Sequence, residues 1–160
     1  MQYIKGMQFY QNDKKTAITL GKFDGLHRGH ETLIERVIEH QKNDGVDSVV
    51  FAFDMAPLYE KIKNKKESLI TNEERAGRLF GRVDYLVECP FVEAVSKIEA
   101  ETFIKEILVK QFHAKYIVVG TDFHFGYQKK GDYHMLQQYS GEYGYIFIYL
   151  IHLWLMPFII

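Results

Sequence analysis

The chain has 160 residues, of which 47% are hydrophobic, 15% aromatic and 26% charged; this fits one packed domain and excludes a disordered chain. Twenty Lys and Arg against 21 Asp and Glu leave a net charge of -1. No global basic field therefore calls for nucleic acid, and no acidic excess marks a solvated tail. The single cysteine, Cys89, excludes an intramolecular disulfide framework and a cysteine-only zinc cluster, and a core role is favoured for it over a reactive one.

The N-terminal residues lack a long apolar stretch and a cleavage site, so no cleavable signal peptide is expected and the cytoplasm is the expected compartment. Residues 16–20 (T-A-I-T-L) read as a short strand stopped by Gly21. Residues 31–40 carry Leu33, Ile34, Val37 and Ile38 at helical spacing, with Glu and Arg opposite. Residues 48–53 (S-V-V-F-A-F) read as a buried strand. The run 64–67 (N-K-K-E) reads as a solvated loop. Residues 71–79 read as a helix, with Thr71 and Glu74 spaced as a capping box. Residues 85–87 form a short apolar run ended by Pro90. Residues 98–112 predict a strong helix, with Phe103, Ile104, Ile107, Leu108 and Phe112 on one face. Residues 116–119 (Y-I-V-V) predict a strand stopped by Gly120, residues 132–139 a helix, and residues 145–150 a last strand.

Strands alternating with helices predict an α/β fold: a Rossmann-like parallel sheet of about five strands with helices on both faces. Ligands of such sheets bind beyond the carboxyl ends of the strands. That rule points to the loops after Leu20, Phe53, Val87 and Val119.

The first of these loops reads G-K-F-D-G-L-H-R-G-H over residues 21–30. Its glycines permit sharp turns and close approach of the backbone to a ligand. The helix start that follows offers unpaired N–H groups and a positive dipole end, which together suit phosphate. His27 and His30 lie at this entrance and can donate to phosphate oxygens. A glycine-rich turn alone is often only a turn, and a His pair alone is often a metal site or nothing. Spacing by three without a following Glu argues against a hydrolytic zinc pair.

The ten-residue string resembles the first signature of the FMN adenylyltransferase domain of bacterial FAD synthetase, a member of the H-x-G-H nucleotidyltransferase superfamily. A second signature agrees: V-G-T-D-F-H-F-G over residues 119–126, then K-K-G-D over 129–132, is similar to the family pattern G-x-D/N-F-x-F-G followed by a basic stretch and G-D. L-I-T-N-E-E-R over 69–75 resembles the family stretch L-T-x-x-E-R. Residues 84–91 resemble its D-x-L-x…F segment. The likeness covers about residues 16–142.

The resemblance implies transfer of AMP from ATP to FMN, giving FAD and pyrophosphate, with Mg2+ accompanying ATP. It assigns His27 and His30 to the ATP phosphates and the transition-state charge. Gly21, Phe23, Asp24, Gly25 and Gly29 complete the ATP side, although Asp24 also reads as an aspartate that only holds the turn. Asp122, Phe123, Phe125 and Gly126 fall on the flavin side. If extended, Phe123 and Phe125 point to opposite sides, one against the flavin and the other in the core. No protein metal cage is expected. Lys129 and Lys130 read equally as phosphate attractors and as a solvated loop. His113 reads as a helix-ending residue, His124 as either a solvent-facing or a ligand residue, and Arg75 and Thr71 either as family-pattern residues or as simple caps and decoration of a helix.

Two departures stand out. The family has D-P-H-P after the second strand, where this chain has Asp54-Met-Ala-Pro57. The family also continues with S-S-T-x-x-R, whereas no S-S-T occurs among these 160 residues and the last arginine is Arg82. The expected domain therefore spans residues 1–144. Residues 145–160, free of Asp, Glu, Lys and Arg, form an apolar tail in place of the last motif, and no riboflavin kinase domain follows. The run is shorter than the roughly 20 residues of a membrane span and holds His152 and Pro157, so a truncated or out-of-frame end is favoured over a membrane anchor. Such a tail can drive self-association. Impaired transfer is the leading expectation. The alternatives are another H-x-G-H transferase, of cytidylyl or pantetheine type, and a catalytically silent nucleotide-binding fragment.

Overall fold

The computed structural model describes residues 1–23, 28–61 and 71–151. Six strands build one sheet: β1 (Gln2–Lys5), β2 (Thr16–Gly21), β3 (Asp47–Asp54), β4 (Tyr85–Pro90), β5 (Ala114–Gly120) and β6 (Ile146–Leu150). Their order is β1-β4-β3-β2-β5-β6, and every neighbouring pair is parallel. The strand beyond the expected five is β1. It occupies an edge and lacks the continuous apolar run that marks the buried strands.

Alternation along the strands divides the core in two. Ile18, Leu20, Val49, Phe51, Val87 and Ile117 face one side, where they meet Phe103, Ile104, Leu108, Phe112 and Leu136. Their neighbours Ala17, Val50, Ala52, Leu86 and Val118 face the other side, against Leu33, Ile34, Val37 and Leu79. Both faces are therefore covered by helices, as an all-parallel sheet requires.

The helix α1 (Arg28–Asp44) supplies the second of these layers and is longer than residues 31–40. It stops at Gly45, whose φ of 71° lies in the left-handed region. A short helix α2 (Ala56–Lys61) follows β3 and was not expected. Pro57 lies in its first turn, where a missing N–H costs nothing, and the Asp54 carboxylate accepts from the Ala56 N–H at 3.1 Å. In α3 (Asn72–Leu79) the Thr71 hydroxyl accepts from the Glu74 N–H at 3.0 Å, the hydroxyl half of the anticipated capping box. The solvated loop expected at residues 64–67 lies outside the described residues.

The helix expected over residues 98–112 is corrected by the structure of residues 93–112. Instead of one α-helix, they form short turns α4 (Glu93–Ser96) and α5 (Ala100–Thr102), then a π-helical segment, Phe103–Gln111. The Phe112 N–H bonds back five residues to the Ile107 carbonyl at 2.9 Å. Phe103 to Leu108 and Ile107 to Phe112 are each five apart, so this winding keeps all four against the sheet. His113 ends the segment with φ 51°; its N–H bonds Val109 O at 3.1 Å.

The helix α6 (Tyr133–Tyr143) is capped by Asp132, whose carboxylate accepts from the Met135 N–H at 3.1 Å, and closes at Gly144 with φ 77°. The strand β6 follows as anticipated, with Ile146 and Tyr149 exposed. The tail expected at residues 145–160 thus includes β6, and its part at residues 152–160 lies outside the described residues. Among the described residues no helix is long and apolar enough to cross a membrane.

Cys89 on β4 is 1% exposed, and burial pushes its thiol up to about 12. At about pH 8, Ellman's reagent should leave the native thiol unmodified and titrate it only in denaturant. Rapid labelling of the native chain would contradict its place in the core.

Candidate active site

The strand after β4 in sequence, β5, lies on the far side of β2, so the order of connections reverses between β2 and β5. Crevices open at such reversals. Here a cleft of about 660 Å³ lies at the carboxyl ends of β2, β3 and β5. The loops singled out after Leu20, Phe53 and Val119 all reach it, and Phe91 borders it just past the end of β4.

One wall is the first signature. Gly21, Lys22 and Phe23 line the cleft, and His30 joins them from the first turn of α1. Phe23 is fully buried although its φ is 50°, a left-handed conformation rare for a bulky residue. Its ring lies 5.2 Å from that of His30. A Cβ on Gly21 would touch the Phe23 ring at 3.4 Å, an ordinary van der Waals contact. Gly29 is buried at the start of α1. Asp24, Gly25 and His27 lie outside the described residues.

The facing wall is the second signature. Asp122, Phe123, His124, Gly126 and Lys129 line the cleft. Phe123 and Phe125 do not point to opposite sides, because the segment turns: the Phe123 N–H bonds Gly120 O at 3.1 Å. Their rings stack at 5.5 Å and 12°. Phe125 is 5% exposed, packs on Phe103 and sits in the core, while the half-buried Phe123 faces the cleft. The His124 Nδ1 lies 2.9 Å from the Asp122 carbonyl. Lys130 lies over the Tyr127 ring at 5.9 Å.

Glycines pin this loop. Phe125 and Gly131 exchange both backbone hydrogen bonds, at 3.1 and 2.8 Å. A Cβ on Gly131 would strike the Phe125 ring at 2.6 Å. Gly126 has φ 80°, and a Cβ there would lie 2.6 Å from Ala100 Cα. The next N–H, of Tyr127, bonds Ile98 O at 2.8 Å.

Apolar residues from α2 and from residues 91–103 close the remaining side, among them Leu58, Tyr59, Val95 and Ile98. Met55, in the loop that lacks the family's histidine, also lines the cleft. Sequence reasoning did not find this wall, because α2 carries no helical periodicity long enough to register.

It also undervalued Arg75. Far from decorating α3, Arg75 is 5% exposed and forms a bidentate pair with Glu88 on β4, at 3.1 and 2.8 Å. Burial pushes the Glu88 carboxyl up, against the pull of the guanidinium. The signal was legible: Glu88 stands alone as a charge in the buried run Y-L-V-E-C and demands a partner. Among the described residues, no three of His, Cys, Asp or Glu gather as a metal cage.

The sequence profile of the FAD synthetase family matches residues 9–152. The chain belongs to the FAD synthetase family. Among curated relatives, it is 32% identical over 131 residues to the bifunctional riboflavin kinase/FMN adenylyltransferase of Escherichia coli K12, covering 81% of this chain and 42% of that protein. It is 28% identical over 148 residues to the protein of the same name from Buchnera aphidicola of Schizaphis graminum, covering 91% and 47%. The chain thus spans about half the length of the curated relatives it matches. A solved Streptococcus pneumoniae protein, named a macrolide-efflux protein, superposes with a TM-score of 0.75 at 25% identity, covering 94% of this chain and 49% of that one. A pantoate-beta-alanine ligase from Francisella tularensis shares the fold, with a TM-score of 0.56 at 12% identity over 94% of this chain and 67% of that one.

In this FAD synthetase family chain, loop and helix make opposite demands on two glycines. Gly126→Ala should destabilise the protein by about 2 kcal/mol or more, because the methyl group meets Ala100 and the backbone is left-handed. Gly141→Ala, in α6 with nothing within 4 Å, should stabilise it by about 0.5–1 kcal/mol. Urea unfolding of the two variants checks both signs.

Proposed function

We propose that the cleft binds MgATP and FMN side by side and transfers AMP from ATP to FMN, releasing pyrophosphate and giving FAD. The observation that carries this reading is that the two signature loops face one another across a single cleft. The first offers backbone, the Lys22 ammonium and the His30 imidazole to phosphates. The second offers the face of Phe123, flanked by apolar side chains, to a flat ring system.

In the reaction, an FMN phosphate oxygen attacks the α-phosphorus of ATP in line. A bond forms between that oxygen and the α-phosphorus, and the bond from the α-phosphorus to the bridging oxygen of pyrophosphate breaks. FMN brings its own nucleophile, so the protein orients the two substrates and stabilises developing charge. His30 donates to phosphate oxygens, and the resemblance gives His27 the same task. Mg2+ would enter with the ATP substrate and would help to neutralise phosphate charge as it develops. Asp122 at the end of β5 can accept hydrogen bonds from the bound nucleotide or flavin. Phe123 takes the flavin role, and Phe125 supports it from behind.

Calorimetric titration with MgATP and with FMN tests the reading, with FAD assayed as product. His30→Ala should weaken MgATP binding by about tenfold, leave FMN binding within about twofold, and lower FAD formation by about 10²–10³. Phe123→Ala should weaken FMN binding selectively. The 160 residues hold no S-S-T-x-x-R, so FAD formation by this chain should lag far behind its binding of the substrates. Turnover equal to that of a bifunctional relative would contradict that part, and binding of ATP with a different acceptor but no FMN would contradict the whole.

A further inference from the structure

Arg75 lines no part of the cleft, yet it holds the loop that does. Its Nη1 donates to the Lys22 carbonyl at 2.6 Å and reaches the Phe23 carbonyl at 3.5 Å. Nε and Nη2 grip the two oxygens of Glu88, and Nη2 also donates to Asn72 Oδ1 at 2.7 Å. Asn72 in turn donates to the Asp54 carboxylate at 3.2 Å. One guanidinium thus ties α3, β4 and the end of β3 to the first signature loop.

We propose that Arg75, oriented by Glu88, is a positioning residue for the ATP-phosphate loop: it fixes the peptide planes at Lys22 and Phe23 and so sets how that loop meets a nucleotide. The proposal rests on the reading of the cleft as an ATP and FMN site. A guanidinium has five N–H donors in a rigid fork, and here all five are engaged. Two of them go to the loop, so the buried cation is fully satisfied only when the loop is in place. The dependence also runs the other way. A peptide is planar, with its carbonyl and N–H opposed. Turning the Lys22 carbonyl onto Arg75 therefore turns the Phe23 N–H away from it. The left-handed Phe23 is a strained conformation that persists only where its surroundings fix it. Its buried ring and its neighbouring carbonyls on Arg75 supply that restraint. The Glu88 carboxylate balances the guanidinium, so the pair acts on the loop through geometry and adds no net charge to the cleft.

The experiment separates geometry from charge and from general stability. The double variant R75M/E88L removes both charges together, leaves the net charge unchanged and keeps the site apolar, a replacement that buried pairs often tolerate. R75K keeps the charge but cannot hold Glu88 and two carbonyls with one fork. Calorimetry should show MgATP binding weakened about tenfold or more in both variants, with FMN binding within about twofold of the parent chain. Should the double variant not fold, R75K decides by the same ratio. Unchanged MgATP affinity in a folded variant, or equal loss of both ligands, would overturn the proposal. If the parent chain binds neither ligand, the cleft reading fails instead. The role of Arg75 is then decided by amide hydrogen exchange, which should quicken across residues 20–23 in the variants and stay unchanged across residues 121–131.

Discussion

A parallel strand cannot be joined to its neighbour by a hairpin, and this constraint organises the whole chain. Each strand must be followed by a return crossing over one face of the sheet. Both faces are then covered, which is why alternate residues such as Val49 and Val50, or Ile117 and Val118, are buried on opposite sides. The same constraint sends every strand out at the same end. The loops after β2, β3 and β5 have no choice but to meet there, and the reversal of order between β2 and β5 opens the crevice that they line. The site is thus a consequence of the topology before any side chain adds chemistry to it.

Side chains then make the crevice asymmetric. Toward β2 the lining mixes Gly21, Lys22 and His30 with Leu20, Phe23 and Leu33; toward β3 and residues 91–98 it is apolar and aromatic. The polar groups at Lys22 and His30 and the aromatic wall opposite are the basis for proposing a polyphosphate and a flat ring as its occupants. The loop on each side is held by a different device. Residues 121–131 are held by close packing, with Gly126 against Ala100 and Gly131 under the Phe125 ring. The first loop is held by a buried charge. Such pairs are poor sources of net stability, but removing one partner costs about 3–5 kcal/mol because the other is left uncompensated. The Arg75–Glu88 pair therefore ties the loop geometry to the integrity of α3 and β4.

Much of this was legible in the sequence, for identifiable reasons. Runs such as S-V-V-F-A-F and Y-I-V-V are buried on both faces and carry the strand signal without alternation. The two signatures sit just past strand ends, so the parallel-sheet rule alone directs them to a common crevice. What escaped notice depends on contacts distant in sequence or on unusual winding. The π-helical turn of residues 103–111 follows from packing on Phe51 and the sheet; the spacing of its apolar residues fits an α-helix nearly as well. Phe123 and Phe125 looked divergent only on the assumption of an extended backbone, which the turn at Gly120 removes. Arg75 and Glu88 lie thirteen residues apart, and only the fold brings the lone charge in β4 together with an arginine on the preceding helix.

The central claim is that one crevice at the β2–β5 reversal holds both substrates at once. A crystal structure of the chain with FMN and a non-hydrolysable MgATP analogue tests it most directly. The account predicts the triphosphate within hydrogen-bonding distance of His30 and of the backbone at residues 21–23. It also predicts the isoalloxazine ring against Phe123, with the FMN phosphate facing the α-phosphorus. Either ligand bound elsewhere on the sheet, or the flavin and nucleotide competing for the same wall, would contradict it.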